Sequence, residues 1–156
     1  MTEYLTLESL LQVAEAAIEG KVTVCDFGLL ESAVARPRTT VFGAEAYPSM
    51  TEKAAALLES LARNHALVDG NKRLGWLATE VFCFLNGWLV VAADDDKFDL
   101  VIDVAAGVVP GVAKIAERLE PWLTPRVGDL GDGLVLTGRG AQKPWMWRWG
   151  RTAAGV

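Results

Sequence analysis

Residues 50–85 read MTEKAAALLESLARNHALVDGNKRLGWLATEVFCFL, and this stretch decides the fold class. Met50, Ala54, Leu57, Leu58 and Leu61 recur at the spacing of one helix face, so a helix is expected from Ser49 or Thr51 to Asn64–His65. HALVDGNKR (65–73) is rich in turn formers and contains Gly70. A second helix is expected from about Asn71 through LGWLATEVFCFLN, with Gly87 as its stop. Two helices joined by a short turn bury their apolar faces against each other and against further helices.

Upstream, Thr6 is a plausible N-cap for a helix whose apolar residues are Leu7, Leu10, Leu11, Ala14 and Ile18, and Gly20 stops it. FGLLESAVA reads as a shorter helix that must end near Pro37. PRTTVFGAEAYP (37–48) reads as a loop with an extended TTVF segment. Downstream, WLVVA (88–92) suits a short strand. Asp96 as N-cap, with Asp99 in the first turn, would open a fifth helix through FDLVIDVAAG. Pro110 suits the first turn of a sixth, VAKIAERLE, and Pro121 and Pro125 close the body. The expectation is an all-α bundle of about six helices over residues 1–125. An extension, 126–156, is expected to be irregular or a β-hairpin: GDGLVLTGRG has hairpin glycines, and Trp145, Trp147 and Trp149 alternate as in a strand.

A chain of 156 residues with 51% hydrophobic and 22% charged residues fits one globular domain rather than a disordered segment. It has no uncharged apolar run of roughly 18 residues and no basic segment at its start, so a cytoplasmic location is expected, away from membranes. Cys25 and Cys83 are too few for a disulfide framework, and Cys83, in VFCFL, reads as a small core residue. No zinc-ligand spacing is present. Residues 1–125 carry 10 basic against 18 acidic side chains, a balance of −8, while 126–156 carry 5 against 2, a balance of +3. So acidic a body is ill suited to direct nucleic-acid binding, which needs clustered cations.

The single histidine, His65, stands at the end of one helix, and Asp69, Gly70, Asn71, Lys72 and Arg73 open the next. A helix N-terminus offers unpaired backbone N–H groups and a partial positive charge. Gly70 permits a tight turn and close approach of a ligand to the backbone. With Lys72 and Arg73 this makes a cradle for phosphates. Asp69 supplies the oxygen type that Mg²⁺ takes beside phosphate oxygens, and Asn71 can bond a phosphate or cap the helix. An imidazole at the opposite lip suits proton removal from a hydroxyl at neutral pH. The same residues also fit an ordinary inter-helix turn with a solvated Lys–Arg pair. The loop is not a Walker A motif, since GxxxxGK[ST] is missing.

HALVDGNKR resembles the signature loop of the Fic/Doc family, H-x-F-x-[DE]-[AG]-N-K-R in its Doc (death-on-curing) branch. YLTLESLL, GLLESAVARP, YPSMTEKAAALLESLARNH and FLNGW also look like that branch, in matching order over about residues 3–124. The resemblance implies an all-helical Fic/Doc fold and a toxin that uses ATP and Mg²⁺. It assigns His65 as the base toward a target hydroxyl, Asp69 as the Mg²⁺ ligand, and Gly70, Asn71, Lys72 and Arg73 as holders of the nucleotide phosphates. Lys72 stands where Fic proteins proper have a second glycine. The Doc branch implies transfer of the terminal phosphate to a protein such as elongation factor Tu, blocking translation, whereas the Fic alternative implies AMP transfer. Three positions depart from the family pattern: Ala66 where Pro is common, Leu67 where Phe is usual, and Leu74 where Thr is frequent. Ala66 and Leu67 support a further alternative, a catalytically degenerate module that only binds an antitoxin. The family also implies a flap that docks the target by strand addition, for which 37–48 is the candidate. No [ST]-x-x-x-E-[GN] inhibitory helix is found, so inhibition is expected from a separate Phd-like antitoxin that folds on binding.

Overall fold

The computed structural model describes residues 1–126. Six α-helices dominate: α1 (Leu7–Ala17), α2 (Phe27–Ala35), α3 (Met50–Arg63), α4 (Asn71–Leu85), α5 (Asp94–Ala106) and α6 (Gly111–Leu119). Two small antiparallel sheets join them. One pairs β1 (Thr40–Val41) with β2 (Ala44–Glu45), and the other pairs β3 (Trp88–Val90) with β4 (Leu123–Pro125). The fold is mostly helical, as expected. The proposed hairpin at GDGLVLTGRG and the tryptophan alternation at 145–149 lie outside the described residues.

Local sequence accounts for most helix ends. The Thr6 hydroxyl accepts from the Ser9 N–H and the Ser9 hydroxyl accepts from the Thr6 N–H, closing a reciprocal cap on α1. Ser49 and Glu52 do the same for α3. Asp26 caps α2 through the Leu29 N–H. α5 differs from expectation. It begins at Asp94, so Asp96 is not the N-cap, and all three of Asp94, Asp95 and Asp96 occupy the first turn. Consecutive carboxylates favour the positive end of the helix dipole, which lets the helix start earlier with Ala93 at the cap. Pro110 likewise stands one place outside α6, at its N-cap.

α3 is central. Ten of its fourteen residues are buried, including Leu57, Leu58 and Leu61, so it is packed on nearly every side. α4 lies along it with Trp76 and Phe82 fully buried. At their crossing, Gly75 of α4 comes so near that a Cβ there would sit 3.4 Å from the Ala62 backbone nitrogen and the Leu61 Cβ. α5 and α6 cover other sides of α3, and α1 packs on α4. This fixes the 64–70 connection at one end of the bundle, where α5 can face it.

Thr40–Val41 and Ala44–Glu45 turn the expected loop at 37–48 into a short hairpin. Its tip residues, Phe42 (φ 50°) and Gly43 (φ 81°), both have positive φ, the turn chemistry of tight hairpins. The hairpin is tied to α3 by a buried lysine: Lys53 Nζ donates to Glu45 Oε1 at 3.0 Å and to the Tyr47 carbonyl. Arg36 adds hydrogen bonds to the Tyr47 hydroxyl (3.1 Å) and Ser60 Oγ (3.0 Å) and an ion pair to Glu59 (2.8 Å). Burial alone would lower the Arg36 pKa, but Tyr47 and Glu59 outweigh it and raise it above the usual arginine value.

Candidate functional site

The chain leaves α3 through Asn64 at its C-cap and then His65, whose φ of 51° is unusual for a side-chain-bearing residue. This turn leaves the imidazole exposed at the end of the bundle. Ala66 and Leu67 then dive into the core, 3% and 2% exposed. The smaller Leu67 thus still anchors the loop. The loop also gains an edge: Val24 pairs with Leu67, the Cys25 N–H donates to the Ala66 carbonyl at 2.8 Å, and the Val68 N–H donates to the Thr23 carbonyl at 3.0 Å.

Asn71 closes the turn. Its Oδ1 accepts from the Leu67 N–H and its Nδ2 donates to the Leu67 carbonyl, both at 2.9 Å. Both ends of the amide are therefore engaged by the loop backbone, and Asn71 is not the helix cap that the sequence offered as one option. Gly70, at φ 89°, is the N-cap of α4, and a Cβ there would lie 2.6 Å from Ile18 Cδ1. No side chain caps α4. The N–H groups of Asn71, Lys72 and Arg73 precede the first intrahelical bond, which runs from the Leu74 N–H to the Gly70 carbonyl at 2.9 Å. Leu74, where the family favours a hydroxyl, points into the core at 1% exposed.

Arg73 Nη2 lies 3.1 Å from Asp69 Oδ2, a pair with the carboxylate 70% exposed and the arginine 15% exposed. Lys72 is exposed beside them. All six residues singled out from the sequence, His65, Asp69, Gly70, Asn71, Lys72 and Arg73, line one cleft of about 450 Å³. Its opposite wall is apolar and comes from Ile102, Ala105 and Ala106 of α5, with Ala62 of α3 and Val68 completing it. That wall carries no charge pattern by which the sequence could have announced it.

The arrangement suits an anion flanked by a proton acceptor. Uncapped N–H groups and two cations stand on one lip and an accessible imidazole on the other. Hydrogen bonds to charged groups contribute about 1.5–3 kcal/mol each. No cluster of three or more metal-ligating side chains exists among the described residues. Asp69 alone fits an ion that takes one carboxylate and otherwise water and phosphate oxygens, which is the habit of Mg²⁺. None of the described helices is long and apolar enough to cross a membrane.

The model of the Fic/DOC family matches residues 4–83. A protein of Mycolicibacterium smegmatis (strain ATCC 700084 / mc(2)155) named Toxin Doc is 54% identical over 108 residues, which span 67% of this chain and 82% of that protein.

Proposed function

The chain belongs to the Fic/DOC family, and from that footing we propose that it is the toxin of a toxin–antitoxin pair, transferring the terminal phosphate of ATP to a hydroxyl on a protein target. The observation that carries this reading is the single cleft in which His65 and the uncapped, cationic start of α4 share the same space. In the proposed reaction His65 accepts the proton of the target hydroxyl. The hydroxyl oxygen forms a bond to the γ-phosphorus as the bond from that phosphorus to the β–γ bridging oxygen breaks, and ADP leaves. Lys72, Arg73 and the first N–H groups of α4 hold the phosphates and meet the charge that builds on them. Asp69 would hold Mg²⁺, which supplies further neutralisation of phosphate charge. Asn71 and Gly70 keep the loop in the shape that aims those N–H groups outward.

Terminal-phosphate rather than AMP transfer is favoured by Lys72. Its side chain fills space that a glycine would leave open and so favours a nucleotide direction that presents the γ-phosphorus. Elongation factor Tu is the proposed target, with translation arrest the consequence. A Phd-like antitoxin is the proposed inhibitor.

The test uses ATP labelled at the γ- or the α-phosphate, incubated with elongation factor Tu or with a bacterial lysate. Label from the γ-position, lost in His65→Ala, is the expected result. Transfer of α-label would replace this reading with AMP transfer. No transfer of either label, together with equal growth of cells expressing wild type, His65→Ala and Arg73→Ala, would leave an antitoxin-binding module in its place.

A further inference from the structure

A second, smaller cleft of about 340 Å³ flanks the same end of α3, lined by Arg36, Glu59, Ser60, Arg63 and Asn64. Asn64 immediately precedes His65, and Ala62, next to Arg63, lines the first cleft, so the two spaces lie on either side of the same helix terminus. Its charges do not cancel. Two guanidinium groups share one carboxylate: Glu59 is 2.8 Å from Arg36 and 3.7 Å from Arg63. Arg36 is committed to the fold by its bonds to Tyr47, Ser60 and Glu59. Arg63 is not. It is 46% exposed, and its one ion pair among the described residues is the long one to Glu59.

Arg63 is nevertheless held in place. Its Nη2 lies where a Cβ on Gly107 would be 3.1 Å away, so the guanidinium crosses the C-terminus of α5, the end that attracts cations. The setting sharpens the point. In a body with 10 basic and 18 acidic residues over 1–125, four of the ten cations, Arg36, Arg63, Lys72 and Arg73, gather at the two clefts around His65. No residue of the 69–73 loop lines the second cleft, so phosphates seated at the start of α4 are served by other cations.

We propose that this second cleft is a carboxylate subsite for the protein substrate, in which Arg63 pairs with an Asp or Glu side chain lying close in sequence to the hydroxyl presented to His65. The proposal rests on the reading of His65 as the residue that receives that hydroxyl. An extended segment that places its hydroxyl at His65 brings neighbouring side chains over the end of α3. A carboxylate there finds a pre-placed guanidinium, with the Ser60 and Asn64 side chains at its sides. An acidic residue beside the acceptor hydroxyl would thus set specificity.

Arg63→Gln removes the charge and leaves a shorter, polar side chain that can still hydrogen-bond. Thermal melting first checks that the variant folds like wild type. With the target found by γ-label transfer, the variant is expected to raise KM for the protein at least about tenfold, or 1.4 kcal/mol, with kcat and KM for ATP within about twofold of wild type. Arg63→Glu is expected to be rescued when the acid beside the modified hydroxyl is changed to Lys. A rise in KM for ATP instead, or an unchanged KM for the protein, would overturn the subsite. A second arm needs no catalysis: a displayed library of peptides centred on Ser or Thr is selected on wild type and on Arg63→Gln. Acid enrichment at a fixed position in wild type only is the supporting result; no enrichment, or equal enrichment in both, sinks the proposal. Should no label transfer at all, the role of His65 fails while this second arm still decides the subsite.

Discussion

Replacing Gly70 by alanine probes the joint on which the site is built. Two separate penalties follow from the structure. The residue sits at φ 89°, and an L side chain in the left-handed region costs about 1–2 kcal/mol. The new Cβ would also lie 2.6 Å from Ile18 Cδ1 and 2.7 Å from Ile18 Cγ1, against a preferred carbon–carbon separation of about 3.5–4.0 Å. Ile18 is 7% exposed and packed in the core, so it cannot swing into solvent, and overpacking of this kind costs about 1–3 kcal/mol. The sum is about 2–5 kcal/mol. At about 3–5 °C per kcal/mol for a domain of this size, the melting temperature is expected to fall by roughly 6–25 °C. Urea and thermal melts followed by circular dichroism measure it. Ile18→Ala removes both clashing carbons, at its own cost of about 2–5 kcal/mol. In the double variant the steric part disappears, so the two losses should fall short of additivity by about 1–3 kcal/mol, while the backbone part persists. Additive losses would show that the Ile18 contact is not what forbids a side chain. An alanine variant as stable as wild type would show that the left-handed turn itself is wrong.

Asn71→Ala removes both bonds to the Leu67 backbone and should cost about 2–3 kcal/mol in urea melts. Asn71→Asp should not rescue it, because a carboxylate oxygen would face the Leu67 carbonyl. His65→Ala should leave stability within about 0.5 kcal/mol, since the imidazole is exposed, while lowering labelled-phosphate transfer about 10²–10⁴-fold. Cys83, fully buried, should resist a thiol reagent until the protein is denatured, whereas exposed Cys25 should react at once. Burial, with the Glu80 charge beside it, pushes the Cys83 thiol up from 9.0 to about 12. The unfolded chain therefore releases that proton at a lower pH than the folded one, and stability is expected to decline as pH rises from about 9 toward 12. Cys83→Ala should flatten that part of the stability–pH curve.

What the sequence displays and what it conceals divide along distance in the chain. The Thr6 and Ser49 caps, the stop at Asn64, and the turn at Gly70 act over three or four residues, so the chemistry that sets them is visible in a short window. That His65 to Arg73 could share one cleft is visible for the same reason: nine consecutive positions carry base, acid and cations. The wall of Ile102, Ala105 and Ala106 was not, because small apolar residues on α5 look like any core face until α3 places them opposite the loop. The pairing of Val24 with Leu67 was missed because each strand partner is a single residue with no alternation to betray it. Lys53 was hidden more thoroughly. Composition places a lysine at the surface, yet Glu45 and the Tyr47 carbonyl satisfy its ammonium while its stem is covered.

These concealed contacts share one consequence. Lys53 ties the Thr40–Glu45 hairpin to α3, Arg36 braces Tyr47 just beyond it, and His65 lies two residues past the end of α3. The segment expected to receive a target strand and the imidazole expected to receive its hydroxyl are therefore mounted on one buried helix. A target engaged by the hairpin would meet a base two residues beyond that buried helix, in a turn anchored by Ala66 and Leu67 in the core, which is the placement that holding two reactants in register requires.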